Sequence, residues 1–181
     1  MSYTRVQIRK KVEGLLDRNG VTKPCVDVVE IADKEGVRIT YEVLEDDVSG
    51  FLVVKNRQGT IAVNSTHHNN RQRFTIAHEL GHYFLHSVDN GKDDLFIDKK
   101  VFHRGQSASE GTVRKEIEAN RFAAELLMPR SMMKEAVKEE GGDIDLSDDV
   151  VIFNLSNLFC VSEQALTYRL TDLNIIPRLW D

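Results

Sequence analysis

His78 and His82 stand four residues apart, and Glu79 follows the first of them. Residues 73–86 read as one continuous helix, with no proline and no turn signal inside it. At about 100° per residue, the two imidazoles fall one above the other on the same side. That spacing lets two ring nitrogens reach one Zn²⁺ while Glu79 lies beside the metal, able to take a proton from a bound water. Thr75 and His86 share this sector, and Ile76, Leu80 and Phe84 lie on the far side. A polar wedge on an otherwise apolar helix is costly to bury unless something organises it. A metal would organise it.

A hydrolytic zinc centre needs a third protein ligand and an open fourth position. The later segment that can supply the ligand is 114–128, rich in helix formers and stopped by Pro129. It offers Glu116 and Glu118. Glu116 shares a face with Ala119, Asn120, Ala123 and Leu127, a small-residue stripe suited to close helix packing, and Gly81 matches it on the first helix. Glu118 projects nearly opposite, with Arg121 and Glu125, on what reads as a solvent face. The expected ligands are therefore His78, His82 and Glu116. Asn120, one turn further on, is placed to hydrogen-bond a ligand from outside.

His86 cannot join His78 and His82 on one ion, because two helical turns put its Cα about 12 Å from that of His78. It is expected at the edge of the cleft. The adjacent pair His67-His68 points two ways and reads as a polar entry to the helix. Tyr83, His103 and Arg104 are candidates for a second donor to the oxyanion, and the sequence does not choose among them.

The elements that must hold these residues can be read in turn. Helices are expected over 4–19, ended by Asn19-Gly20, and over 26–35, ended by Gly36. Alternating residues 37–43, then 50–55 and 60–64 around a loop at 56–59, predict three strands in a largely antiparallel sheet. The strand 60–64 is the expected edge for an extended substrate. Residues 95–112 read as a long loop, a possible lid. Asp143–Asp149 reads as a solvated acidic connector. Beyond Pro129 come a short helix, an apolar helix over 148–158, and a last helix capped by Ser162 and running to about Asp172; the tail 175–180 should fold back. The fold expected is α+β: a small antiparallel three-stranded sheet packed on a metal-binding helix, with helices at both ends. It is read as a single domain, with 1–130 carrying the N-terminal helices, the sheet and the zinc-binding helices, and 131–181 a C-terminal helical subdomain.

At 181 residues and 41% hydrophobic content, the chain suffices for one good core. Its net charge of −5 is spread along the chain, which argues against direct nucleic-acid binding. The segment 155–170 has the spacing of a helix-turn-helix unit, with Gln164, Thr167 and Arg169 expected outward, but its second helix opens with Glu163 and little around it would neutralise phosphates. Cys25 and Cys160 fit neither a disulfide framework nor a zinc knuckle, and are expected as buried thiols in a reducing compartment. With no signal region and no run of membrane-spanning length, the expected location is the cytoplasm, with no membrane partner. Nothing in the sequence fixes an oligomeric state.

Ile76-Ala-His-Glu-Leu-Gly-His82, followed by Glu116-x-Glu-Ala-Asn-x-Phe-Ala-Ala-Glu-Leu-Leu-Met-Pro129, resembles the ImmA/IrrE-type metallopeptidases. The resemblance extends to the Gly50-Phe-Leu-Val hairpin and to Val161-Ser-x-x-Ala-Leu-x-x-Arg-Leu170. It implies a zincin-like fold of the gluzincin kind, with Zn²⁺, or Mn²⁺ as a substitute, on His78, His82 and Glu116, and Glu79 as the base. It further implies an intracellular enzyme, encoded on mobile elements or in stress-response loci, that cleaves a DNA-binding helix-turn-helix repressor. Two other readings compete with it. One is a zinc-containing regulator that binds a repressor or DNA through its C-terminal helix pair without hydrolysis. The other is a purely structural metal site.

Overall fold

The computed structural model describes residues 2–87, 94–99, 110–141 and 148–175, with 94–99 described by backbone alone. Helix α1 (Arg5–Arg18) opens on a capping box: the Thr4 side chain accepts from the Gln7 amide, and the Gln7 side chain accepts from the Thr4 amide. Helix α2 (Val28–Lys34) is capped by Asp27, whose carboxylate accepts from the Val29 and Glu30 amides. Three strands follow, β1 (Arg38–Glu42), β2 (Val48–Lys55) and β3 (Gln58–Asn64). The β2–β3 hairpin turns on Asn56 and Arg57, both at positive φ (50° and 65°). Two such residues make the tight turn whose twist matches antiparallel strands.

Among the described residues the sheet has four strands in the order β1-β3-β2-β4 and is mixed. The pairs β2–β3 and β2–β4 are antiparallel, but β1 runs parallel to β3, with Arg38 opposite Thr60 and Glu42 opposite Asn64. This corrects the expected three-stranded antiparallel sheet in two ways. The chain leaves β1 and comes back through β2, so β3 slots between its two predecessors. The fourth strand, β4 (Asp94–Lys99), comes from the segment read as a loop. Residues 60–64 therefore lie inside the sheet. Its edges among the described residues are β1 and β4, so 60–64 is not the edge expected for a substrate.

Helix α3 (Asn69–His82) lies between this sheet and helix α4 (Glu110–Leu127), and glycine sets both approaches. A Cβ on Gly50 of β2 would stand 2.6 Å from Thr75 Cγ2 and 2.6 Å from the Ala62 carbonyl oxygen. One on Gly81 of α3 would stand 3.0 Å from Ala119 Cα on α4. A side chain at either position would force the layers apart. Ile76, Ala77 and Leu80 fill the interface, and burial of each large aliphatic chain contributes about 1.5–3 kcal/mol.

Helix α3 starts four residues earlier than its apolar pattern suggests. His68 caps it by accepting from the Asn70 amide, and Gln72 Nε2 donates to the carbonyls of Asn64 and Ser65. The polar first turn is thus tied to the end of β3. Beyond His82 the winding loosens into a π-helical turn, Tyr83–Ser87. Three further helices follow, α5 (Arg130–Glu139), α6 (Asp149–Phe159) and α7 (Glu163–Asp172), with α6 and α7 meeting at 94°. Among the described residues no single helix is long and apolar enough to cross a membrane; the α6–α7 pair passes by length and composition only when joined across its bend.

Cys25 and Cys160 form a disulfide, which links the chain before α2 to the α6–α7 turn. The expectation of two separate thiols is corrected, and these residues no longer argue for a reducing compartment. Arg73 of α3 spans the same junction, donating to the carbonyls of Cys160 and Val26.

Candidate metal centre

Helical spacing on α3 brings His78 and His82 together with their Nε2 atoms 3.0 Å apart. From α4, the Glu116 carboxylate places Oε2 3.2 Å from His78 Nε2 and Oε1 3.3 Å from His82 Nε2. The three residues each offer one ligand atom within 4.8 Å of the others, a grouping that could hold a metal ion. The spacing suits a tetrahedral ion: metal–ligand bonds near 2.05 Å imply ligand–ligand edges of about 3.3 Å. Two neutral imidazoles and a carboxylate are also the donor set that zinc accepts.

Electrostatics favour the same assembly. Burial alone would raise the Glu116 pKa, but the neighbouring His78 and His82 outweigh it, and the carboxyl is held below the usual carboxylate range. His78 Nδ1 lies 3.0 Å from Asn120 Oδ1. Since a carbonyl oxygen only accepts, the His78 proton belongs on Nδ1, which leaves the Nε2 lone pair directed at the cluster. Phe74, one turn before His78, packs its ring 6.3 Å from that imidazole, a neighbour that the sequence reading did not single out. Its i−4 spacing on the same helix was the available signal. Glu79 is fully buried, and Glu116 is the most accessible of the four, its side chain 31% exposed.

The remaining candidates are dispersed. His86 lies in the π-turn with its ring 5.5 Å from that of His82; its Nε2 is 3.3 Å from the Lys115 carbonyl oxygen and 3.9 Å from Glu118. Burial, assisted by His82, lowers its pKa to about 4, so the ring is neutral near pH 7. The Tyr83 hydroxyl donates to the Arg57 carbonyl at the β2–β3 turn, and burial raises its pKa. That bond commits the hydroxyl to the hairpin. His103 and Arg104 lie outside the described residues, as do most of the acidic connector 143–149 and the tail beyond 175.

Two expectations about α4 and α7 are overturned. Glu118 and Glu125 do not face solvent: they are 2% and 7% exposed. Glu118 accepts from Ser2 Oγ at 2.8 Å and from the Tyr3 amide at 3.0 Å, because the start of the chain lies over that face of α4. Glu125 pairs with Arg169 of α7, which also donates to the Met128 carbonyl at 3.0 Å. Arg169 is therefore turned inward, 5% exposed, and is unavailable to nucleic acid.

Residues 32–171 match the family model described as the IrrE N-terminal-like domain (Peptidase_M78). The chain is 30% identical over 135 residues to metallopeptidase ImmA of Bacillus subtilis, covering 75% of this chain and 71% of that one. It is 30% identical over 120 residues to the radiation response metalloprotease IrrE of Deinococcus radiodurans, covering 66% of this chain but 33% of that one. An uncharacterized immunity region protein of Bacillus phage phi105 is 25% identical over 147 residues, with 81% of this chain and 82% of that one covered. Among solved structures, a Mycobacterium tuberculosis transcriptional regulator shares the fold with a TM-score of 0.60 at 16% identity, over 91% of this chain and 46% of that one.

Proposed function

Because the chain belongs to the IrrE N-terminal-like family of metallopeptidases, we propose that it is a zinc-dependent endopeptidase that cuts a helix-turn-helix repressor. The observation that carries this reading is the convergence of His78, His82 and Glu116 within 4.8 Å, on two helices held together at Gly81.

In the proposed roles, those three residues hold Zn²⁺, and Mn²⁺ would be tolerated by the same donors. A divalent metal bound there supplies Lewis acidity, polarising a peptide carbonyl and bringing the pKa of water towards about 7. Asn120 keeps the proton of His78 on Nδ1 and so fixes the tautomer that can ligate. Glu79 acts as the general base: its carboxylate accepts the proton of the attacking water and then delivers it to the leaving amine. The burial of Glu79 excludes bulk solvent from that transfer. Because Tyr83 is bonded to Arg57, the second oxyanion donor is sought among His103 and Arg104.

A repressor as substrate is what the family resemblance implies, and two relatives' names, ImmA and immunity region protein, fit it. The rival reading, in which the C-terminal helix pair binds DNA, keeps the 94° bend between α6 and α7 but has lost Arg169 to the Glu125 pair. The test is to mix the purified chain and zinc with any helix-turn-helix repressor found to be encoded beside its gene. The wild type should cut it at one internal site, and Glu79→Gln should reduce the rate by about 10²–10⁴-fold while still retaining metal. Undiminished cutting by Glu79→Gln would refute the assignment of the base, and a shift in DNA mobility without cutting would support the regulator.

A further inference from the structure

Helices α1, α4 and α7 line an open cavity of ≈ 540 Å³, whose wall includes two neighbours of His78. Phe74 and Asn120 belong to its wall: Asn120 Oδ1 lies 3.0 Å from His78 Nδ1, and the Phe74 ring centroid lies 6.3 Å from that of the imidazole. The cavity continues the accessible stripe of α4 that begins at Glu116: Ile117, Asn120, Arg121 and Ala124 follow at helical spacing. A peptide crossing the metal centre would meet this cavity at the His78 end.

Its lining is cationic on a chain that carries a net charge of −5. Five arginines (Arg5, Arg9, Arg121, Arg130 and Arg169) face two carboxylates, Glu125 and Asp172. Both carboxylates are engaged. Glu125 takes Arg169 and the Arg130 amide, while Asp172 takes Arg5 at 2.8 Å and Arg169 at 3.6 Å. Arg9 has Glu13 only at 3.8 Å, and the guanidinium groups of Arg121 and Arg130 have no acidic partner among the described residues. Guanidinium groups gathered in a concave, partly apolar site recognise carboxylates. Ile117, 43% exposed, and Tyr168, 69% exposed, add apolar surface for the residues that flank such a carboxylate.

We propose that this cavity is a specificity site for an acidic segment of the protein substrate, taking aspartate or glutamate side chains at the His78 end of the metal centre. The inference rests on the peptidase reading for its meaning, but its test does not require cleavage. The probe is an acetylated, amidated hexaglutamate peptide, titrated calorimetrically into the whole chain, with hexaglutamine and unamidated hexaglutamate for comparison. The amidated glutamate peptide should bind and the glutamine peptide should not, and freeing the C-terminal carboxylate should add little. Arg121→Gln/Arg130→Gln should weaken binding by about tenfold or more, whereas Arg38→Gln, on β1, should leave it unchanged. Amide shifts on α4 and α7 of the wild type locate the peptide even if the double variant does not fold. Equal weakening by Arg38→Gln, shifts confined to other elements, or dependence on a free C-terminus would overturn the proposal. The same titration on Glu79→Gln should give wild-type affinity, so a failure of the peptidase reading would show in cleavage and not here.

Discussion

Helix α4 presents two glutamates two residues apart, and each meets histidine from the α3 region, yet the two clusters differ in kind. Glu118 is buried with His86 and is satisfied by the protein itself, through Ser2 Oγ and the Tyr3 amide. Glu116 is partly open and faces two imidazole nitrogens that also face each other. Identical residue types thus make a structural clasp in one place and a candidate metal site in the other. What separates them is which donors the fold delivers. The clasp is closed by N–H and O–H groups, whereas the centre gathers lone pairs.

The comparison can be stressed from its metal side first. Asn120→Ala removes the acceptor that orients His78, and metal affinity should fall by about 10–100-fold, read by competition with a chelating dye. Unchanged affinity would mean that the helix alone fixes the ring. Next comes the clasp. Glu118→Gln weakens charge-assisted bonds to the start of the chain and should lower stability by about 1–2 kcal/mol in urea unfolding, with no loss of metal. Loss of metal in that variant would merge the two clusters into one unit.

The smallest effect belongs to a third glutamate, remote from both. Glu35 accepts two bonds from Arg18, at 2.7 and 2.8 Å, and these hold its pKa below the ordinary carboxylate value. A lowered folded-state pKa gives stability that is present above the unfolded value and is lost as pH falls through the folded one. With Arg18 half exposed, solvent screening keeps this below about 1 kcal/mol. Glu35→Gln should therefore cost that much at pH 7 and nothing once both states are protonated. A cost that persisted in acid would point to packing instead of charge.

Local features of this molecule were legible in the sequence. The i, i+4 histidines announce their helix, and the small-residue stripe Ala119-Ala123 with Gly81 marks the face of α4 that bears Glu116. Long-range partners were not. Glu118 reads as a surface residue until the first residues of the chain are laid over it, and Arg169 reads as an exposed cation until α7 is set beside Glu125. The β1–β3 pairing needs a crossover that no local pattern encodes, and Asp94–Lys99 pairs with β2 without the alternation that marks a half-buried strand. The disulfide joins cysteines 135 residues apart, with nothing in either neighbourhood to name the other.

The central claim is that Glu116, and not its neighbour, completes the metal centre. The most direct measurement is the zinc content of the purified wild type, Glu116→Gln and Glu118→Gln by elemental mass spectrometry after equal dialysis. The account predicts one zinc per chain in the wild type and in Glu118→Gln, and a loss of most of it in Glu116→Gln. Full zinc in Glu116→Gln, or its loss from Glu118→Gln alone, would contradict it.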